Sequence, residues 1–268
     1  STSLRLVVEN PGDAWNESML LATALYKAES GGDYSYRGED PDSYTDVFDQ
    51  EAGEDDLTPL ISFLEFINDS DDETFAAELD EHLDVTAFAT YLAFHDLVDN
   101  FDDIDGPGNN SYLAYDAETG LMTVVSWDLN LAFGASPTSR GDQGGPADGA
   151  DAGGEGMVNA PQGARPDGER PDGAGSAGQA GGGMAAGGGS NILSERFLAD
   201  EDFSALYESE LDRLTEALYE SGDAQAILDD WESTLVEGAS DLVDAETITA
   251  EADELSDAFQ RRADDATS

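Results

Sequence analysis

Apolar positions recur at helical spacing over most of the chain and alternate in a few short runs. Met19, Leu20 and Ala24 predict a helix across Trp15 to Lys27. Leu57 to Ile67 and Asp72 to His82 predict two more. Asp84 is a suitable N-cap for the next, which runs to about Asp99 with Phe88, Tyr91, Leu92, His95 and Val98 on its apolar face. Residues 30–56 are polar around Tyr34, Tyr36, Tyr44 and Phe48, which predicts an ordered loop region. Leu4 to Val8 reads as a short strand closed by Asn10-Pro11-Gly12. Ser111 to Tyr115 and Leu121 to Trp127 read as two strands joined by the turn Asp116 to Gly120, a hairpin pattern. Helical periodicity returns in Phe203 to Leu218, Ile227 to Leu235 and Leu242 to Arg262. These helices read as packing elements, and His95 as a satisfied core histidine.

The periodicity fails in one place. Residues 136–190 hold eighteen of the twenty-nine glycines and no aromatic residue, so they cannot bury enough apolar area to offset ordering entropy. The expected organisation is therefore 1–135 as a globular domain, 136–190 as a flexible Gly/Asp-rich insert, and 191–268 as helices completing the same domain. Arg140-Gly141-Asp142 inside the insert spells an adhesion tripeptide, which such composition produces by chance.

Composition narrows the function. There is no cysteine and there are two histidines, which rules out disulfides and cysteine- or histidine-rich metal sites. Sixty-one acidic against ten basic residues give a formal charge of −51, unsuited to a nucleic-acid backbone or an anionic membrane surface. No apolar run approaches the roughly 20 residues of a membrane helix. Lys27 is the only lysine. At 39% hydrophobic the chain is not a disordered acidic polymer, so the charge points to adaptation to multimolar salt, where a Debye length of about 3 Å screens self-repulsion. The chain opens Ser-Thr-Ser without Met, which predicts a processed or cut N-terminus.

The chemistry concentrates in 100–134. A helix leads to an acidic loop in which Asp105 precedes Asn110 by five residues, and a hairpin then leads to Trp127-Asp128-Leu129-Asn130. Protein kinases use this order: a loop Asp accepts the substrate hydroxyl proton, an Asn five residues on holds magnesium, and a second Asp beyond a hairpin holds the ions on the phosphates. Magnesium takes hard oxygen ligands, so one carboxylate and one amide from two loops suit it. Asp103 is an alternative base to Asp105. No His-Arg pair precedes Asp105, and Trp-Asp-Leu stands where kinases have Asp-Phe-Gly.

The stretch resembles the spore coat protein H (CotH) kinase family, atypical protein kinases. The residues that carry the resemblance are Asn100-Phe101-Asp102, Asp105 with Asn110, Tyr112-Leu113, Glu118-Thr119-Gly120, and Trp127-Asp128-Leu129-Asn130 leading to Phe133-Gly134. Leu25-Tyr26-Lys27, Tyr36-x-Gly38-x-Asp40 and Tyr44 are similar to the family's upstream segment, and Asn191-Ile192-Leu193 to its C-terminal part. The acidity makes the chain resemble a haloarchaeal-type member.

The resemblance implies an α+β, mostly helical fold: a kinase-like large lobe interrupted by the Gly-rich insert. It implies transfer of the ATP γ-phosphate to a protein Ser/Thr hydroxyl, with magnesium, or manganese in its place. Asp105 takes the catalytic role, Asn110, Asp128 and Asn130 the metal roles, and Trp127 a place against the nucleotide. Asn130 replaces a family Asp and offers a carbonyl oxygen without charge. The expected partner is a protein substrate such as a surface or coat protein, and the expected location is secreted or cell-surface. Lys27 is the candidate phosphate-side cation, against a solvated lysine. No segment before Leu4 can build a small lobe, so the chain is expected to be the N-terminally incomplete large lobe of a longer protein. Two other readings stay open. One is a catalytically degenerate kinase fold with a structural surface role. The other is a cation-binding surface module, since Asp103-x-Asp105-Gly106 is similar to the start of a calcium loop. Ala114 holds the twelfth position, where an EF-hand needs Glu.

Overall fold

The computed structural model describes residues 11–30, 33–106, 109–135, 191–239 and 241–266. The strand expected at Leu4 to Val8 and the insert at 136–190 lie outside the described residues.

Among the described residues a four-stranded antiparallel sheet and eight α-helices build the fold, so it is mixed and mostly helical as expected. Strands β1 (Ala24–Ala28), β2 (Phe48–Gly53), β3 (Ser111–Asp116) and β4 (Leu121–Ser126) lie in the order β2-β1-β3-β4. Alternation along the strands sends side chains to two faces. Ala24, Tyr26, Ala28, Leu113, Met122 and Val124 join the main core. Leu25, Ala52, Tyr112 and Ala114 face the other way, covered by Trp15, Leu20 and Trp127.

The helix expected across Trp15 to Lys27 is two elements. Helix α1 (Asp13–Met19) ends, Leu21 takes a left-handed conformation at φ 58°, and β1 begins at Ala24. Asn16 makes the turn. Its side chain accepts from the Ala22 N–H (3.2 Å) and donates to the Ala22 carbonyl (2.8 Å). A central strand buried on both faces reads as a continuous apolar run, which periodicity cannot tell from a helix. The loop region expected at 30–56 also contains a strand. Among the described residues β2 is an edge of the sheet, and its sequence Phe-Asp-Gln-Glu-Ala-Gly is polar enough to hide it.

Helices α2 (Thr58–Asp69), α3 (Asp72–Glu78) and α4 (Val85–Leu97) follow the predicted pattern. Asp84 caps α4 as expected, accepting from the Ala87 N–H at 2.9 Å. Helix α4 buries Phe88, Ala89, Tyr91, Leu92, Ala93, His95 and Leu97, which lie around most of its circumference. Such a helix belongs in the interior. It packs on β4 on one side and α6 on another. After the insert come α5 (Ile192–Ala199), α6 (Glu201–Thr215), α7 (Asp223–Gly238) and α8 (Ala245–Ala266). Phe197 of α5 closes the core edge-to-face on Phe88, with ring centroids 5.0 Å apart. Residues Glu216–Glu220 continue α6 as a π-helical turn, a local widening often found near functional sites.

Candidate functional site

Two loops leave the core side by side: 99–110 after α4, and 127–134 after β4. Backbone hydrogen bonds tie them together. The Phe101 N–H donates to the Leu131 carbonyl (3.2 Å), the Phe133 N–H to Val98, and the Gly134 N–H to Asp99 (3.3 Å). The Asp105 loop and the Asp128 turn therefore form one hydrogen-bonded junction rather than two independent surface loops.

The backbone at this junction is strained. Asp99 (φ 48°), Asn109 (φ 50°), Asp128 (φ 46°) and Phe133 (φ 58°) are four of the five non-glycine residues with left-handed φ among the described residues. Asp and Asn visit this region more readily than other residues, so the clearest cost, of order 1–3 kcal/mol, falls on Phe133, held there by the surrounding structure. Gly106 is required for a different reason. A Cβ there would lie 2.5 Å from the Asp102 Cα and 2.8 Å from the Phe101 carbonyl oxygen. Only glycine lets the acidic loop fold back on its own start.

Beneath the junction runs a polar chain from the buried Asn100 and His95 out to the exposed Ser126. The Asn100 amide donates to His95 Nδ1 (3.0 Å), which leaves the proton on Nε2 to donate to Ser126 Oγ (2.8 Å). Asn100 opens the first loop and Ser126 precedes Trp127-Asp128, so the imidazole joins both. Burial pushes the His95 pKa down to about 4, keeping the ring neutral and both bonds in place near pH 7. The core-histidine reading thus holds, but the partners give it a positioning role. The sequence signal was a lone His facing Asn100 across one helix end, too weak to use without the fold. Asn100 Oδ1 is buried without a partner.

The candidate residues take different positions. Asp128 heads the short turn Leu129–Leu131 and stands exposed. Asn130 is exposed in the same turn. Asn110 Nδ2 donates to Asp102 Oδ2 (3.1 Å), which turns its oxygen away from that bond. Asp105 is half-buried. Its Oδ1 accepts from the Asn191 N–H at 2.7 Å, tying the loop to the start of α5. Burial raises its pKa, and the Asn191 N–H and the neighbouring Ser194 hydroxyl pull the other way. That hydroxyl sits buried beside the carboxylate without closing a full hydrogen bond. Trp127 lies edge-to-face on Tyr112 at 5.7 Å, on the back face of the sheet. Lys27 is on β1 rather than a helix edge and pairs with Glu29 at 3.1 Å. The neighbouring Glu29 carbonyl accepts from the Asn109 amide (3.0 Å), so this strand braces the loop.

Asp103 is the most perturbed of the loop carboxyls. Burial pushes it up to about 6, partly offset by the Asp105 N–H donating to its Oδ1 at 3.0 Å. Between its unfolded value near 3.8 and the folded value near 6, the native state holds the proton more tightly. This contribution to stability is present below the unfolded value and lost as pH rises through the folded one. Asp103→Asn should therefore stabilise the protein above pH 6, by at most on the order of 3 kcal/mol, with the gain vanishing toward pH 4. His95 adds the opposite slope between about 4 and 6.5 in both proteins and cancels in the difference. Urea unfolding of the two proteins across pH at fixed salt measures it, and a gain independent of pH would rule out the burial origin.

Helix, acidic loop, hairpin and Asp turn in this order form the arrangement expected of the phosphotransfer lobe of a protein kinase. The family model described as CotH kinase protein matches residues 5–261, and the chain belongs to the CotH kinase family. None of the curated proteins matches the chain.

Proposed function

We propose that the protein is an atypical protein kinase that transfers the γ-phosphate of ATP to a Ser or Thr hydroxyl of a protein, working in concentrated salt. The observation that carries this is the junction itself. Asp105 and Asp128, which we assign to the family's loop and turn carboxylates, sit on two loops bonded to each other, with Asp128 in left-handed backbone, above a hydrogen-bonded chain from the buried Asn100 and His95 to Ser126.

The donor set fits a hard divalent ion. Asp128 offers an exposed carboxylate, and Asn110 an amide whose nitrogen is already committed to Asp102. Asn130 adds a neutral carbonyl oxygen. Among the described residues no three of His, Asp and Glu converge on one point, so an all-carboxylate cage is not the design. Magnesium, or manganese in its place, would be held by Asp128, Asn110 and Asn130, and supplies charge neutralisation on the phosphates when bound. Asp105 accepts the proton of the acceptor hydroxyl as its oxygen bonds to the γ-phosphorus and the bond to the β–γ bridging oxygen breaks. Burial raises its pKa, the direction a general base needs. Trp127 is proposed to flank the nucleotide, and Lys27 to stand on the phosphate side. The acceptor is proposed to be a surface or coat protein, with the kinase secreted or at the cell surface.

One observation favours a second reading. Asp105 Oδ1 is engaged by the Asn191 N–H, a structural use that a degenerate, non-catalytic module would also show. Thermal unfolding of the encoded protein in molar salt separates the two. A kinase gains stability with magnesium and ATP together, as RT ln(1 + [L]/Kd) requires, and moves radiolabel onto a protein acceptor. No shift and no transfer would establish the degenerate module.

A further inference from the structure

An apolar groove of about 560 Å³ opens beside the Asp128 turn, between that turn, α7 and α8. Its volume lies within the roughly 300–1,000 Å³ range of binding clefts. Leu129 and Phe133 of the turn form one wall. Ile227 and Trp231, one helical turn apart on α7, form another, and Leu255 and Phe259, likewise spaced on α8, form the floor. Four of these side chains stay open to solvent: Trp231 and Ile227 are 53% and 57% exposed, Leu129 and Phe133 41% and 38%. Contiguous exposed apolar surface of this kind marks an interaction site rather than scatter.

We infer that this groove docks an amphipathic helix of a partner protein, presenting an apolar stripe flanked by Lys or Arg. Three observations select that occupant. The groove offers almost no placed hydrogen-bonding groups: the Tyr219 hydroxyl already donates to the Leu97 carbonyl at 3.1 Å. A helix satisfies its own backbone and needs none, whereas an extended peptide or a polar small molecule would leave groups unpaired. The spacing of Ile227 with Trp231 and of Leu255 with Phe259 suits side chains arriving at i, i+3 or i+4, and i+7.

Charge decides the flanks. The two charged residues in the lining are both acids, Glu232 and Glu251. Glu232 accepts from Thr249 Oγ1 at 2.7 Å but has no cation beside it in the groove. Asp229, Asp230, Asp253 and Glu254 stand exposed on the same two helices. A second copy of this chain would bring acid against acid, and a cationic helix brings the missing charge. In molar salt, with a Debye length of about 3 Å, such exposed pairs are weakened, so the flanking charge selects between occupants and the apolar stripe supplies the affinity. Because Leu129 and Phe133 belong to the Asp128 turn, the partner is held next to the candidate site. The inference does not depend on phosphate transfer.

The probe is a synthetic helix with Leu at i, i+3, i+4 and i+7 and Lys on its flanks, titrated in molar salt against tryptophan emission. The expected result is a saturable blue shift that disappears in Trp231→Phe. A scrambled peptide of the same composition and a Glu-flanked peptide should each bind at least roughly tenfold more weakly. Ile227→Asp should weaken binding similarly without moving the melting temperature, because the side chain is already exposed. Equal binding of the scrambled peptide overturns the groove, and equal binding of the Glu peptide overturns the cationic flank. A blue shift that grows with protein concentration alone, with dimer in the ultracentrifuge, assigns the surface to a second copy and overturns the inference. Each readout is binding only, so its failure is separable from failure of the kinase reading.

Discussion

Asp128→Asn should abolish magnesium-dependent nucleotide binding and phosphate transfer together. Asp105→Asn should spare binding and slow transfer by roughly 10²–10⁴-fold, the range of a lost general base. The difference follows from where the two carboxylates sit. Asp128 is exposed at the head of a left-handed turn, where its charge faces whatever enters the junction. An amide there keeps the shape and loses the charge that we propose holds the ion. Asp105 is half-buried with one oxygen on the Asn191 N–H, and Asn can keep that bond through its carbonyl. The fold should therefore hold in both variants, and calorimetry with magnesium and ATP can be compared directly with a radiolabel assay. Asp103→Asn belongs in the same series, because its pKa near 6 also suits a base. If Asp103→Asn loses transfer and Asp105→Asn keeps it, the base is Asp103 and Asp105 is an anchor for α5. Full transfer by the Asp128 variant would remove the junction from the chemistry altogether.

The protein should unfold cooperatively as salt falls from molar to about 0.1 M, where the Debye length grows from about 3 to about 10 Å. Sixty-one acids against ten bases leave a charge of −51 that internal pairing cannot cancel. Arg37 takes two acids at once, Asp33 (3.3 Å) and Asp46 (2.9 Å), while Arg196 and Arg213 take Asp72 and Glu210. These pairs are partly exposed and each contributes under about 1 kcal/mol. The remaining carboxylates repel across the surface, and only screening or bound cations relieve them. Circular dichroism through a salt titration, with melting at each step, reads the outcome. An unchanged melting temperature down to 0.1 M would exclude salt adaptation as the reason for the composition.

The local signals in the sequence were good wherever one residue type acts on its own neighbourhood. Asp84 capped α4, the Asp116 to Gly120 turn closed a hairpin, and α6, α7 and α8 formed where periodicity placed them, while α5 was not read. The order of helix, acidic loop, hairpin and Asp turn was legible too, because spacing along the chain survives folding. β1 and β2 were not. Leu25 and Tyr26 are buried on opposite faces of a central strand, so the run carries no alternation, and β2 is an acidic edge that resembles a loop.

What the sequence by itself determined is therefore most of the helices, the hairpin, the extreme acidity and the candidate carboxylates. Each depends on contacts a few residues apart or on composition alone. The tertiary structure decided how those carboxylates differ. Asp105, Asp103 and Asp128 are indistinguishable as letters in an Asp-rich chain. Asp105 is tied to Asn191 from beyond the insert, Asp103 is desolvated until its pKa rises, and Asp128 is left open in strained backbone. It also turned His95 into a bridge between two loops and set α7 and α8 as walls of an apolar groove. Burial and long-range hydrogen bonding make these distinctions, and both depend on segments far apart in sequence arriving at one place.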